Sequence, residues 1–197
     1  MTPLAAIRHG PTAWNDDGRM QGRHDVALSD AARRALAPRQ PPAALDGFAW
    51  VSSPLARARD TAHLLAPHAS VAIEPALTEM DWGAWEGATL AALRAEHGAA
   101  FDTNADRGLD FRPPGGESPR MVQDRLTPWL THIGVAGVPT AAVTHKGVIR
   151  ALLGLATGWD FLGKPPARLD WSAAHLFEVD GAGRPRILEL NLPLAPR

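Results

Sequence analysis

The chain has 197 residues, 45% of them hydrophobic and 21% charged, with a formal net charge of -1. That length fits one domain able to bury a core, and that charge gives no general attraction for nucleic acid or an anionic membrane. There is no cysteine, so disulfides, thiolate metal sites and a phosphocysteine mechanism are excluded, and any affinity for anions has to be local.

Near the start, in "PLAAIRHGPTAWN", Leu4 to His9 reads as a short buried strand stopped by Gly10-Pro11. Arg8 interrupts the apolar run too early for a signal segment, and no run of about eighteen apolar residues occurs anywhere, so a cytoplasmic protein is expected. Residues 10–28, with Gly18 and Gly22, read as a long functional loop. Ser29 then caps an alanine-rich helix predicted to run to about Arg39. "FAWVSSP" (48–54) is a second strand, and Ser53-Pro54 opens a helix reaching roughly Leu65. "SVAIEP" is a third strand, followed by the irregular stretch "ALTEMDWGAWEGA".

Residues 89–98 are helical in pattern, and "RGLDFRPPGGES" reads as a loop. Glu117 to Ile133 keeps near-helical apolar spacing despite Pro128. "TAAVTH" is a fourth strand, Lys146 to Thr157 a helix, and "HLFEVDGAGRPRILELN" a closing hairpin around Gly181 and Gly183. Strands alternating with helices predict an α/β sandwich with a mostly parallel sheet. Ligands in such sheets sit beyond the carboxyl ends of the strands, which is where Arg8-His9, Ser52-Ser53 and Thr144-His145 fall.

Those strand ends deliver two histidines and a serine pair to one sheet edge. The helix after the second strand adds Arg57 and Arg59, and a helix start with arginines suits phosphate oxygens. Thr12 and Asn15 offer neutral donors from the loop. Glu79 lies near Trp82 and Trp85, and apolar surroundings would raise its pKa toward that of a proton donor at neutral pH. Taken singly, each residue has a plainer reading: a structural histidine, a solvated arginine, a surface acid, core tryptophans. Their joint placement at one edge favours the chemical reading.

"RHGPTAWN", "GRMQGRHDVALS", "SSPLARARDTA", "LTEMDWGAWEG", "GGES" and "VTHKGVIR" resemble the successive motifs of the histidine phosphatase superfamily, the phosphoglycerate mutase-like proteins. The resemblance runs from residue 4 to about 153 and implies a three-layer α/β/α sandwich. It implies His9 as the transiently phosphorylated nucleophile, and Arg8, Arg57 and a protonated His145 as the phosphate pocket. It implies Glu79 as the proton donor, Asn15 as a further phosphate contact, Gln21-Gly22 as the loop bordering the substrate, and Glu117-Ser118 as a motif at the rim. No metal or other cofactor is implied, and two guanidinium groups should lower the pKa of His9.

The chain departs from the family pattern at Lys146, where glycine usually follows the second histidine. Lys146 is expected either to point outward or to reach a second anionic group on the substrate. A second departure is Ala32, where the first helix commonly ends in glycine. The expected organisation is one domain over 1–197 with a small cap from about 75–118. The expected activity is hydrolysis of a small phosphorylated metabolite, because the short insertion between Glu79 and Glu117 leaves the phosphohistidine open to water. A phosphoglycerate mutase and a non-catalytic phospholigand-binding module are the alternatives. A metal-dependent hydrolase is disfavoured, since the eight histidines show no H-x-H or H-E-x-x-H spacing. Arg94, Arg107, Arg112 and Arg120 surround the cap and would favour a second negative charge. The terminal hairpin leaves an edge at which a homodimer is possible.

Overall fold

Strand β1 (Thr2–Arg8) sends alternate side chains into two different cores, which is the reason the first strand is apolar on both faces. Leu4 and Ala6 join one cluster, Ala5 and Ile7 the other. The structure, a computed structural model, describes all residues Met1–Arg197. After β1 come α1 (Ala13–Asp16), α2 (Asp30–Leu36), β2 (Arg39–Gln40), β3 (Ala49–Ser52), α3 (Ala56–Leu65) and β4 (Val71–Ile73). Then follow α4 (Leu90–His97), α5 (Ala99–Ala105), α6 (Pro119–Ala136), β5 (Thr140–Thr144), α7 (Lys146–Thr157), β6 (Ala173–Val179), β7 (Pro185–Pro193) and β8 (Ala195–Pro196).

The main sheet has the order β4-β3-β5-β1-β6-β7. β4, β3, β5 and β1 run parallel, while β6 and β7 are antiparallel additions made by the hairpin. On one face α6 and α7 bring Val122, Leu126, Leu130, Ile149 and Leu152 against Leu4, Ala142 and Phe177. On the other, Ala58, Ala62 and Leu65 of α3 pack on Ala5, Ile7, Ala141 and Val143. The result is the expected α/β/α layering with a mostly parallel centre. Alanines at the contacts let α3 approach closely, and each buried leucine of α6 and α7 contributes roughly 1.5–3 kcal/mol. No helix is long and apolar enough to cross a membrane.

Local chemistry sets the element ends. Ser118 Oγ accepts from Met121 N and Pro119 opens α6, which ends at Gly137 in the left-handed conformation (φ 70°). The predicted loop 10–28 contains α1, closed by a capping box in which Thr12 and Asn15 satisfy one another's backbone N–H groups. Ser29 caps α2 as expected, but α2 stops at Leu36, and Arg39–Gln40 instead pair with Ala195–Pro196. The helix predicted over 89–98 is followed by α5, the two separated by Gly98 at φ 51°. Between β4 and α6, the segment packs around its own small cluster of Trp85, Leu93 and Phe101, with Trp82 and Phe111 against it.

Candidate active site

Beyond the carboxyl end of β1, His9 is followed by Gly10, which packs closely: a Cβ there would lie 2.7 Å from Leu36 Cδ1. Gly10 N donates to Thr61 Oγ1 on α3 at 2.9 Å. His9 Nδ1 lies 2.7 Å from the Gly10 carbonyl oxygen, which can only accept, so Nδ1 carries the proton and Nε2 is the bare nitrogen. Burial, followed by the Arg57 and Arg8 charges, pushes the His9 pKa down to about 3. Burial outranks the two guanidinium groups that sequence reasoning credited.

Arg57 is fully buried in α3. Its two terminal nitrogens donate to the carbonyls of His24 (2.6 Å) and Gly22 (2.8 Å). Its Nε has no partner, and neither has the buried Nε of Arg8 or the buried Nδ1 of His145. The His145 ring stands 5.0 Å from that of His9, centroid to centroid. Its Nε2 lies 2.7 Å from Ser53 Oγ, which itself accepts from Leu55 N at 3.3 Å. This contact holds the ring in place and leaves Nδ1 as the nitrogen without a protein partner. Burial first, then the coupling to His9 and the charges of Arg57, Arg125 and Arg8, hold the His145 pKa well below the ordinary value. That direction runs against the protonated His145 that the family resemblance implied.

Glu79 accepts from Met80 N at 2.8 Å and from Gly147 N at 3.1 and 3.2 Å. Burial raises its pKa, outweighing those hydrogen bonds and the pull of Arg57 and Arg8. The close backbone approach occurs at Gly147, one residue after Lys146: a Cβ on Gly147 would stand 2.4 Å from Glu79 Oε1. Arg125 of α6 holds the segment around Glu79 by donating to the carbonyls of Ala76 and Thr78, and it pairs with Glu117. Glu117 also accepts from Asp81 N and pairs with Arg23 at 3.0 Å. The predicted rim motif is thus a brace, with Glu117 pinning the acid's segment and Ser118 capping α6.

One cavity of about 680 Å³ gathers eight of the nine predicted site residues: Arg8, His9, Asn15, Gln21, Gly22, Arg57, Glu79 and Lys146. His145 is fully buried and does not line this cavity; its ring packs against that of His9, which does. Asn15 spends its side-chain oxygen on Thr12, so its amide NH2 is what remains for a ligand. Gly22 is required because its φ is 51° and a Cβ would collide with Glu86. Glu86 accepts from Arg23 N at 2.7 Å and His24 N at 3.2 Å, fixing the Gln21-Gly22 loop. Trp82 lines the cavity, whereas Trp85 packs between Phe101 and His97. Of the four cap arginines only Arg94 lines it; Arg120, for example, is spent on Asp110.

Ser53, Glu86, Arg125, Gly147 and Arg150 escaped sequence reasoning as site residues. The serine pair at a strand end was a signal for Ser53, while Arg125 carried none, because its partners lie tens of residues away. No group of three or more His, Cys, Asp or Glu side chains converges to hold a metal ion.

The family model for the histidine phosphatase superfamily (branch 1) matches residues 4–192. The chain is similar to a glucosyl-3-phosphoglycerate phosphatase of Mycolicibacterium vanbaalenii, 37% identical over 184 residues, covering 81% of this chain and 78% of that one. It is also similar to a 2,3-bisphosphoglycerate-dependent phosphoglycerate mutase of Gloeobacter violaceus, 30% identical over 167 residues, covering 78% and 74%. The native structure of a mycobacterial glucosyl-3-phosphoglycerate phosphatase superposes with a TM-score of 0.78 at 28% identity, covering 98% of this chain and 100% of that one. Some other mycobacterial relatives are longer, and the chain spans about half (53%) of their length.

Proposed function

This chain belongs to the histidine phosphatase superfamily, branch 1, as a metal-independent phosphoric monoester hydrolase of the phosphohistidine type, and we propose that its substrate is a phosphorylated sugar acid of the glucosyl-3-phosphoglycerate kind. The observation that carries the residue roles is the fixed tautomer of His9, whose unprotonated Nε2 lies in a cavity with unpartnered buried nitrogens beside it. The substrate class rests on the activity named for the relatives.

In this reading the neutral Nε2 of His9 attacks phosphorus in line, forming an N–P bond as the P–O bond to the leaving alcohol breaks. The free Nε groups of Arg8 and Arg57 and the Nδ1 of His145 hold the non-bridging oxygens while charge shifts across them. The Asn15 amide adds a neutral donor. Glu79, whose pKa burial raises, gives its proton to the departing alkoxide. As a carboxylate it then takes a proton from the water that attacks the phosphohistidine, returning His9 and releasing phosphate.

Residues from about 75 to 118 act as a small cap over a single catalytic unit spanning 1–197. The cap holds only α4 and α5, which supports water, rather than a second alcohol, as the acceptor. Both the acid and the nucleophile are retained, which favours an enzyme over a phospholigand-binding module. The same reading places the enzyme in the cytoplasm and leaves the β7 edge for a homodimer, which sedimentation would test.

The test is phosphate release from a panel of phosphomonoesters in the presence of EDTA, comparing wild type with His9→Ala. Turnover that survives EDTA and disappears in the mutant is expected. Turnover restored only by added metal, or retained by His9→Ala, would overturn the assignment.

A further inference from the structure

We propose that Lys146 and Arg150, one turn apart on α7, form a second anion subsite in the catalytic cavity, selecting phosphomonoesters that also carry a carboxylate. This inference rests on the phosphatase reading and specifies the substrate class that the same site accepts.

The positive charge of the cavity exceeds what a phosphate monoester needs. A dianionic phosphate group is matched by Arg8 and Arg57, whose unpartnered Nε atoms flank His9. Lys146 and Arg150 line the same cavity, and neither makes an ion pair or donates a hydrogen bond to any protein acceptor. Other cavity arginines differ: Arg19 has Asp17 at 3.3 Å and Arg94 has Asp102 at 3.9 Å. Lys146 is exposed and Arg150 half-buried, so water screens part of the repulsion among these cations, and a second anion on the ligand removes the rest.

Arg150 is also positioned rather than loose. Its guanidinium lies 5.0 Å from the centroid of Trp159 and 5.2 Å from that of Phe161. The two rings are stacked, 4.3 Å apart and within 9° of parallel. Phe161 holds this place at φ 69°, a left-handed conformation that a phenylalanine rarely adopts. Trp159 is fixed by its indole N–H donating to Leu162 O at 3.0 Å. The cap closes on this loop as well, since a Cβ on Gly108 would lie 2.4 Å from Asp160 O. The aromatic contact restrains the guanidinium without using any of its N–H donors, which leaves them for a planar acceptor such as a carboxylate.

Lys146 links this shelf to the phosphate pocket. Its Nζ lies 5.3 Å from the centroid of Trp171, the same ring that Arg8 covers at 5.8 Å. Residues four apart on a helix share a face, so the charges of Lys146 and Arg150 extend from beside Arg8 toward the aromatic shelf. Burial and the neighbouring arginines lower the Lys146 pKa, and burial lowers that of Arg150, the direction that a counter-anion would reverse.

The experiment compares 3-phosphoglycerate with glycerol 3-phosphate, which differ by a carboxylate in place of a hydroxymethyl group. The ratio of their kcat/KM values is measured for wild type, Arg150→Gln, Arg150→Lys and Lys146→Gln, with calorimetric titration of both compounds in parallel. The expected wild-type ratio favours 3-phosphoglycerate at least tenfold. It should fall about tenfold in Arg150→Gln and in Lys146→Gln, mostly through KM, with partial recovery in Arg150→Lys. A wild-type ratio near one, or equal losses on both compounds, would overturn the subsite, because a purely packing role for Arg150 acts on both alike. Absence of turnover on every ester would instead sink the phosphatase reading. The titrations then decide the subsite alone: a carboxylate preference that depends on Arg150 sustains it, and equal binding overturns it.

Discussion

Replacing Gly147 by alanine tests whether Glu79 works as a positioned acid. The added Cβ would stand 2.4 Å from Glu79 Oε1 and 3.2 Å from Met80 Cβ. Ordinary contact begins near 3.4 Å, so the carboxyl has to retreat by about 1 Å, a displacement that costs roughly 10²-fold in a well-oriented reaction. Because the clashing atom is the end of a flexible side chain, the fold absorbs the change. Alanine's better helix propensity offsets up to about 1 kcal/mol of what remains. The expected result is a roughly 10²-fold fall in kcat/KM for an alkyl phosphate, whose alkoxide needs a proton, with Tm nearly unchanged. An aryl phosphate with an acidic phenol should lose far less, since its leaving group departs unprotonated. Phosphate release on the two esters, with Glu79→Gln alongside, reads the difference. Equal losses on both esters, or none on the alkyl ester, would show that Glu79 is not the acid that Gly147 positions.

Ser53→Ala removes the hydroxyl hydrogen-bonded to His145 Nε2, so the ring loses the contact that orients it. A drop of roughly 10-fold or more in kcat is expected, by the measure of general acid–base and oxyanion contacts, and an unchanged kcat would count against a positioning role for Ser53. Glu86→Ala frees the backbone N–H groups of Arg23, His24 and Trp82. It should raise KM more than it lowers kcat and cost about 1–3 kcal/mol in denaturant unfolding. An unaltered KM would separate that loop from substrate binding. His175 is buried, and burial lowers its pKa from 6.5 to about 4. The unfolded chain therefore binds the extra proton between those values, and stability falls as pH drops from about 6.5 toward 4, by of order 2–3 kcal/mol from this group. His175→Gln should flatten the decline of urea midpoint over that window, and an equally steep decline in the mutant would remove His175 as its source.

How far the chain could be read in advance depended on how local each cause is. The β1 segment, the Ser29 cap and the start of α7 at Lys146 rest on side-chain alternation, capping chemistry and helical spacing within a few residues, and these features match the structure. The same locality placed Arg8-His9, Ser52-Ser53 and Thr144-His145 at one sheet edge before any coordinates. The helix predicted over 89–98 ends at Gly98 as α4 does, but α5 beyond it carries no sequence signal of its own in the short segment before the loop.

The protonation states belong to the tertiary structure. His9 owes its low pKa first to burial, and the His145 ring is held by Ser53, 92 residues earlier. Glu79 is held by a backbone N–H 68 positions along the chain. Arg125 and Arg150 look alike in the sequence, yet one is spent on Glu117 and carbonyl oxygens while the other faces the cavity unpaired. The sequence by itself determined which groups the protein has and which strand ends carry them. Only the packed fold decided which groups are charged, which nitrogen is bare and which cations are free, because desolvation and Coulomb interactions depend on distances between residues remote along the chain.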